Sequence, residues 1–151
     1  MGQSLSQMYV HLVFGTKGRK PLIKLECEER LHSYMGGILK NMESPAIIIN
    51  SVPDHIHILF RLSKNYALAK VVEMVKKESS KWMKTIVNGD RNFTWQIGYG
   101  AFSVSSRGLE TVKKYIQNQK EHHQVQSFRD EFEEYVLHYD IIEYDPKYFW
   151  D

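Results

Sequence analysis

The stretch VPDHIHILF, residues 52–60, sets two histidines two positions apart inside an apolar run. A β-strand alternates its side chains between two faces. Read as a strand, the stretch puts His55, His57 and Leu59 on one face and Ile56, Ile58 and Phe60 on the other. The Ile/Phe face has the composition of a core. The two imidazoles then stand side by side on the opposite face, close enough to share one metal ion. A pair of surface histidines satisfied by solvent fits the same pattern.

Working outward, Ile47, Ile48 and Ile49 are β-branched and Val52-Pro53-Asp54 reads as a tight turn, so residues 45–62 predict two strands of a hairpin. Residues 7–17, QMYVHLVFGTK, predict a first strand, broken by GRKP. Residues 23–42 place Leu25, Leu31, Met35, Ile38 and Leu39 at helical spacing. Residues 66–87 repeat the pattern with Leu68, Val71, Val72, Val75, Trp82, Met83 and Ile86, and Asn88-Gly89-Asp90 closes that helix. Residues 93–105 are aromatic and β-rich, with Gly98 and Gly100 marking a bulge or bend. A third helix is expected over 108–125 and a short fourth over 127–140, before an irregular aromatic tail. The order β-α-β-β-α-β-α predicts an α/β (α+β) ferredoxin-like sandwich, an antiparallel sheet with helices packed on one face.

The 151 residues suit a single domain, 1–151. One cysteine, Cys27, leaves no internal disulfide and fits a reducing compartment. Nothing reads as a signal peptide, and no apolar run approaches the roughly 20 residues that span a membrane. A cytoplasmic protein without membrane contact is expected. The net charge of +2 hides an asymmetry: residues 1–125 hold 18 Lys+Arg against 10 Asp+Glu, and the acidic C-terminal segment 126–151 holds 2 against 8. A basic body points to a polyanion partner. The acidic segment reads most simply as a solvated helix; a cover over a basic groove, competing with DNA, is the other reading.

The third helix carries Tyr115 and Gln119 four residues apart, hence on one face, with His122 and His123 falling near it. Spacing alone does not separate this from an ordinary amphipathic helix.

Together these pieces resemble one family. VPDHIHILF is similar to the His-hydrophobic-His strand of HUH single-strand endonucleases. YIQNQKEHH resembles the tyrosine helix of the single-tyrosine branch, the IS200/IS605-type transposases and their REP-associated relatives. HLVFGTKGRKPLI and FTWQIGYGAFSVS also resemble that family, in the same order along the chain. One departure is Gly18, where the family usually carries a second aromatic; it bears on DNA-hairpin contacts. The resemblance implies a homodimer acting on single-stranded DNA with hairpins, the tyrosine helix working in cis or in trans. It implies that His55, His57 and Gln119 hold a divalent metal, Mg²⁺ or Mn²⁺, and that Tyr115 is the nucleophile, with His122 and His123 as outer support.

Such a site makes a 5′-phosphotyrosine and a free 3′-OH, and conserves the bond energy for rejoining. Lys17, Arg19, Lys20, Lys76, Lys77, Lys81, Lys84, Lys113, Lys114 and Lys120 are candidate phosphate contacts, which set affinity rather than sequence choice. Trp82, Trp95 and Phe102 suit a core or dimer interface better than base stacking. The other readings are a domesticated nuclease that processes hairpin repeats, and a non-catalytic nucleic-acid-binding sheet.

Overall fold

The structure, a computed structural model, describes residues 2–124, 126–139, 141 and 143–150. Four antiparallel strands form one sheet: β1 (Met8–Gly15), β2 (Ala46–Val52), β3 (His55–Leu62) and β4 (Gly100–Val104), in the order β2-β3-β1-β4. Alternation along the strands sorts their side chains. Val10, Leu12, Phe14, Ile56, Ile58 and Phe60 face α1 (Leu25–Asn41) and α2 (Leu68–Met83). From α1, Cys27, Leu31, Met35 and Leu39 recur every fourth residue, and α2 adds Val71, Val72, Val75 and Met83. This is the ferredoxin-like arrangement the sequence predicts. Among the described residues no helix is long and apolar enough to cross a membrane.

The other face of the sheet is also covered. The helices expected on one face describe α1 and α2; a further layer comes from α3 (Leu109–Gln117), α4 (Gln119–His122), α5 (Phe128–His138) and the single turn α6 (Pro146–Phe149). Ser127 caps α5 by accepting from Asp130 N at 3.2 Å, and Asp145 caps α6 by accepting from Lys147 N at 2.9 Å. Phe128, Glu131 and Phe132 of α5 are buried, so the solvated-helix reading of the acidic segment is wrong. Val125, Asp140, Ile142 and Asp151, which end or fall within the expected third helix, fourth helix and acidic segment, lie outside the described residues, as does Met1.

Two glycines mark where α5 lands. A Cβ on Gly15 would lie 2.6 Å from the Phe128 ring, and one on Gly100 would lie 2.5 Å from the Phe132 ring. The glycine read as a bend therefore opens β4 and makes room for an aromatic. The tail aromatics dock on the same helix: Phe149 stacks on Phe132 at 4.2 Å, and Trp150 meets Phe128 edge-on at 5.3 Å with the Arg19 guanidinium 5.0 Å over its ring.

Two elements are shorter than expected, each for a local reason. Residues 93–99 do not pair as a strand beyond the bridge from Trp95 to Thr16. The Lys76 ammonium instead binds the carbonyls of Gln96, Ile97 and Gly98 at 2.6, 2.9 and 3.0 Å, which keeps them off a neighbouring strand. The third helix breaks at Asn118 (φ −94°, ψ 17°). There the Asn50 side chain of β2 donates to Ile116 O at 2.8 Å and Gln117 O at 3.3 Å, taking up two carbonyls at the end of α3.

Candidate active site

β3 delivers the histidine pair. His55 and His57 share the sheet face with His11 and Val13 of β1 and with Asn50, which pairs directly with His57. The layer of α3, α4 and α5 closes over them, so His55, His57 and Gln119 are 0 % exposed and Glu131 is 1 % exposed. The histidines are not on a solvent surface.

The side chains converge on Glu131. Its Oε1 lies 3.1 Å from His57 Nε2, 3.1 Å from His123 Nε2 and 3.4 Å from His55 Nε2. Its Oε2 accepts the Tyr115 hydroxyl and, at 3.1 Å, Gln119 Nε2. The sequence pairing of Tyr115 with Gln119 therefore holds in space, and both meet the histidines through one carboxylate. His122 stands farther off, with Nε2 3.7 Å from Glu131 Oε2 and its ring 5.2 Å from that of Tyr115.

Each imidazole is oriented by a bond from its far nitrogen. His55 Nδ1 pairs with Asp54 Oδ1 at 2.8 Å, His123 Nδ1 with Gln126 O at 2.7 Å, and His57 Nδ1 with His11 Nε2 at 2.8 Å. Such outer partners fix the ring and leave Nε2 to face a shared point. Phe128 stacks flat on His55, centroids 4.0 Å apart.

The electrostatics follow burial and this carboxylate. Burial opposes a charge on His55, but hydrogen bonds to Asp54 and Glu131 outweigh it and raise its pKa. Burial lowers His57 to about 4. Burial, with the neighbouring His57, lowers His11 to about 3. Glu131 is buried too, yet hydrogen bonds from the three imidazoles hold its carboxyl far below the usual range. Burial and then the Glu131 charge push the Tyr115 phenol above its usual value. In this arrangement Tyr115 is a phenol bound to an anion.

The donors suit a divalent ion. One ligand atom from each of His55, His57, His123 and Glu131 lies within 4.8 Å of every other. Ligands on opposite sides of an ion with bonds of about 2.1 Å are themselves about 4.2 Å apart. Gln119 Oε1 is buried without a hydrogen-bond partner among the described residues, a free oxygen donor beside the cluster.

The cationic candidates divide. Arg19 and Lys120 line shallow concavities that both include Val52, Pro53 and His123. Lys17 and Lys20 are exposed in the same loop as Arg19. Lys120 also bonds Glu28, Asn50 Oδ1 and Ser51 O, tying α4 to α1 and β2. Lys113 and Lys114 lie on α3 beside the tyrosine, Lys114 exposed. Lys77, Lys81 and Lys84 belong to the α2 layer across the sheet from Tyr115. Lys76 is turned inward onto three carbonyls, and burial lowers its pKa to about 8, so it is a structural cation. Trp95 and Phe102 are buried, and Trp82 stacks on Tyr34 at 4.7 Å, all in keeping with packing roles.

The sequence reading does not include His11, Asn50, Asp54 or Glu131 among the site residues. A signal existed for α5: Phe128, Glu131, Phe132 and Tyr135 fall at i, i+3, i+4 and i+7, one helix face. A carboxylate on such a stripe is buried only when something cationic or donating meets it.

A family model described as Transposase IS200 like matches residues 4–119. No curated protein matches the chain. Nine solved chains match this one in fold, among them these two. One is a protein assigned as a transposase from Deinococcus radiodurans R1, with TM-score 0.60 and 20 % identity over 79 % of this chain and 96 % of that one. The other is a REP-associated tyrosine transposase bound to a REP hairpin, with TM-score 0.58 and 14 % identity over 82 % of this chain and 74 % of that one.

Proposed function

Because the chain belongs to the IS200-like transposase family, we propose that it cleaves and rejoins single-stranded DNA at hairpin-bearing ends through a 5′-phosphotyrosine on Tyr115. The observation that carries this reading is the convergence on Glu131. A nucleophilic hydroxyl, a glutamine amide and three imidazole nitrogens surround one anionic group. A scissile phosphate needs that environment: a hydroxyl in line on one side and positive charge on its oxygens.

His55, His57 and Gln119 would hold the divalent ion, Mg²⁺ or Mn²⁺. Bound there, it would neutralise phosphate charge as a Lewis acid. His11 and Asp54 keep the two rings turned inward. Tyr115 attacks phosphorus; its oxygen forms the new O–P bond as the bond to the 3′-oxygen breaks. The phenol proton passes to solvent and the leaving 3′-oxygen takes one up from solvent, giving a free 3′-OH; attack by another 3′-OH then breaks the Tyr115 O–P bond and transfers the strand. Glu131 of α5 occupies the Tyr115 hydroxyl and faces the three imidazoles, so a phosphate takes that place only after α5 shifts. That shift also removes the negative charge that opposes a phenolate.

Lys17, Arg19, Lys20, Lys114 and Lys120 are the phosphate contacts nearest the site. A neighbour that binds a REP hairpin supports hairpin DNA as the substrate form. The protein works as a cytoplasmic homodimer in this reading, with each Tyr115 on its own subunit's histidines, held through Asn50 and Lys120.

The test is an adduct assay with labelled single strands from both flanks of the gene, with and without Mn²⁺. The reading expects a metal-dependent shifted band on a denaturing gel, lost in Tyr115→Phe and in His57→Ala. Hairpin binding with no adduct under any metal condition would replace it with a purely binding protein.

A further inference from the structure

The family match stops at residue 119, but the cluster does not. His123 and Glu131 come from the chain beyond it. A main-chain carbonyl can only accept, so the bond to Gln126 O puts the His123 proton on Nδ1. The Asp54 carboxylate does the same for His55. In the neutral rings both Nε2 lone pairs then point inward, 3.1 Å apart, and each also faces Glu131 Oε1. Electron-rich atoms packed this closely in a buried site repel unless a positive charge, a ring proton or a bound cation in its place, lies among them.

Contacts made by α5 itself hold these donors in place. Ser127 caps α5, Phe128 lies flat on His55, and the Phe132 ring fills the space left by Gly100. These contacts aim Glu131 into the histidines.

Resting on the proposed metal-dependent reading, we infer that His123 and Glu131 are ligands of the same divalent ion as His55 and His57. The extension beyond the family match thus completes the metal site. With the Gln119 amide oxygen, three imidazoles and a carboxylate make a nitrogen-rich set, which favours Mn²⁺, Co²⁺ or Zn²⁺ over Mg²⁺ in affinity. Glu131 would hold the coordination position that a phosphate oxygen takes when α5 shifts.

The experiment is Mn²⁺ binding to the full chain, by calorimetry and by loss of the free-ion electron paramagnetic resonance signal, without DNA. Wild type should bind one Mn²⁺ per chain, more tightly than Mg²⁺. His123→Ala and the near-isosteric Glu131→Gln should each weaken binding by at least about tenfold, with His57→Ala as the reference loss. Glu131→Ala is a second probe, and circular dichroism selects variants that fold. If His123→Ala and Glu131→Gln bind as wild type while His57→Ala does not, this inference is wrong and the proposed function stands. If wild type binds no Mn²⁺, both fall.

Discussion

Replacing Phe132 with alanine should speed adduct formation. Phe132 is 4 % exposed and belongs to a cluster with Val13, Phe102 and Phe128, separate from the larger core under α1 and α2. It stacks on Phe149 at 4.2 Å, lies 6.2 Å from Phe102 and 5.9 Å from Tyr144, and covers Gly100. Removing a buried phenylalanine ring costs about 3–5 kcal/mol. Here that cost falls on the docking of α5 and the tail, because the lost contacts join those elements to the sheet. Each 1.4 kcal/mol is a factor of ten, so the ratio of docked to undocked α5 should fall by about two to nearly four orders of magnitude. While the docked state dominates, the rate of adduct formation rises in proportion. The assay is the initial rate with a labelled flanking strand at saturating Mn²⁺, where loss of the Glu131 ligand does not limit. Amide-exchange protection of β3 reports that the sheet stays folded. Gly100→Ala, whose Cβ would meet the same ring at 2.5 Å, should act in the same direction. An unchanged or slower rate, with β3 still protected, would show that α5 is not the barrier.

The metal-free protein should be most stable near pH 6.5. His11 and His57 are held neutral, with pKa values of about 3 and about 4, and each takes up a proton on unfolding. Their contribution is full above about pH 6.5 and falls by about 1.4 kcal/mol per pH unit per group on acidification toward those values. His55 is raised, so its contribution is full below about 6.5 and is lost as pH rises through its folded pKa. Urea midpoints from pH 4.5 to 8 check this, and a flat profile contradicts it. Lys76→Met should lower the urea midpoint and leave the salt dependence of DNA binding unchanged, because its ammonium is bound to three carbonyls. Lys17→Ala or Arg19→Ala should lower the slope of log K against log salt by about one contact; equal slopes for all three would undo the assignment. Mn²⁺ affinity should rise with pH through neutrality, since raised His55 must lose its proton to bind metal; titration calorimetry at pH 6, 7 and 8 reads it directly.

The sheet was legible because its signal is local. Alternation in residues 55–60 sorts core from site, and the hairpin turn at Pro53-Asp54 fixes the register. Tyr115 and Gln119 were legible as neighbours on one helix face. The break at Asn118 was not, because the donor that causes it, Asn50, lies 66 residues from Ile116 in the chain. Lys76 reads as one more helix lysine until the carbonyls of residues 96–98 fold over it. Glu131 was lost among Asp130, Glu133 and Glu134. Charge composition treats the four alike, and only the shared stripe with Phe128 and Phe132 separates the buried one. The partners that justify its burial come from β3 and from residues 115–123, so its role becomes visible only once those elements meet.

In the proposed reaction Tyr115 becomes covalently linked to DNA. The most direct measurement is peptide mass spectrometry of the protein after reaction with a flanking single strand and Mn²⁺, followed by nuclease and protease digestion. A nucleotide 5′-phosphate on the peptide containing Tyr115 is expected, and none when Mn²⁺ is withheld. Cleaved strand with that peptide unmodified, or a nucleotide on any other residue, would contradict it.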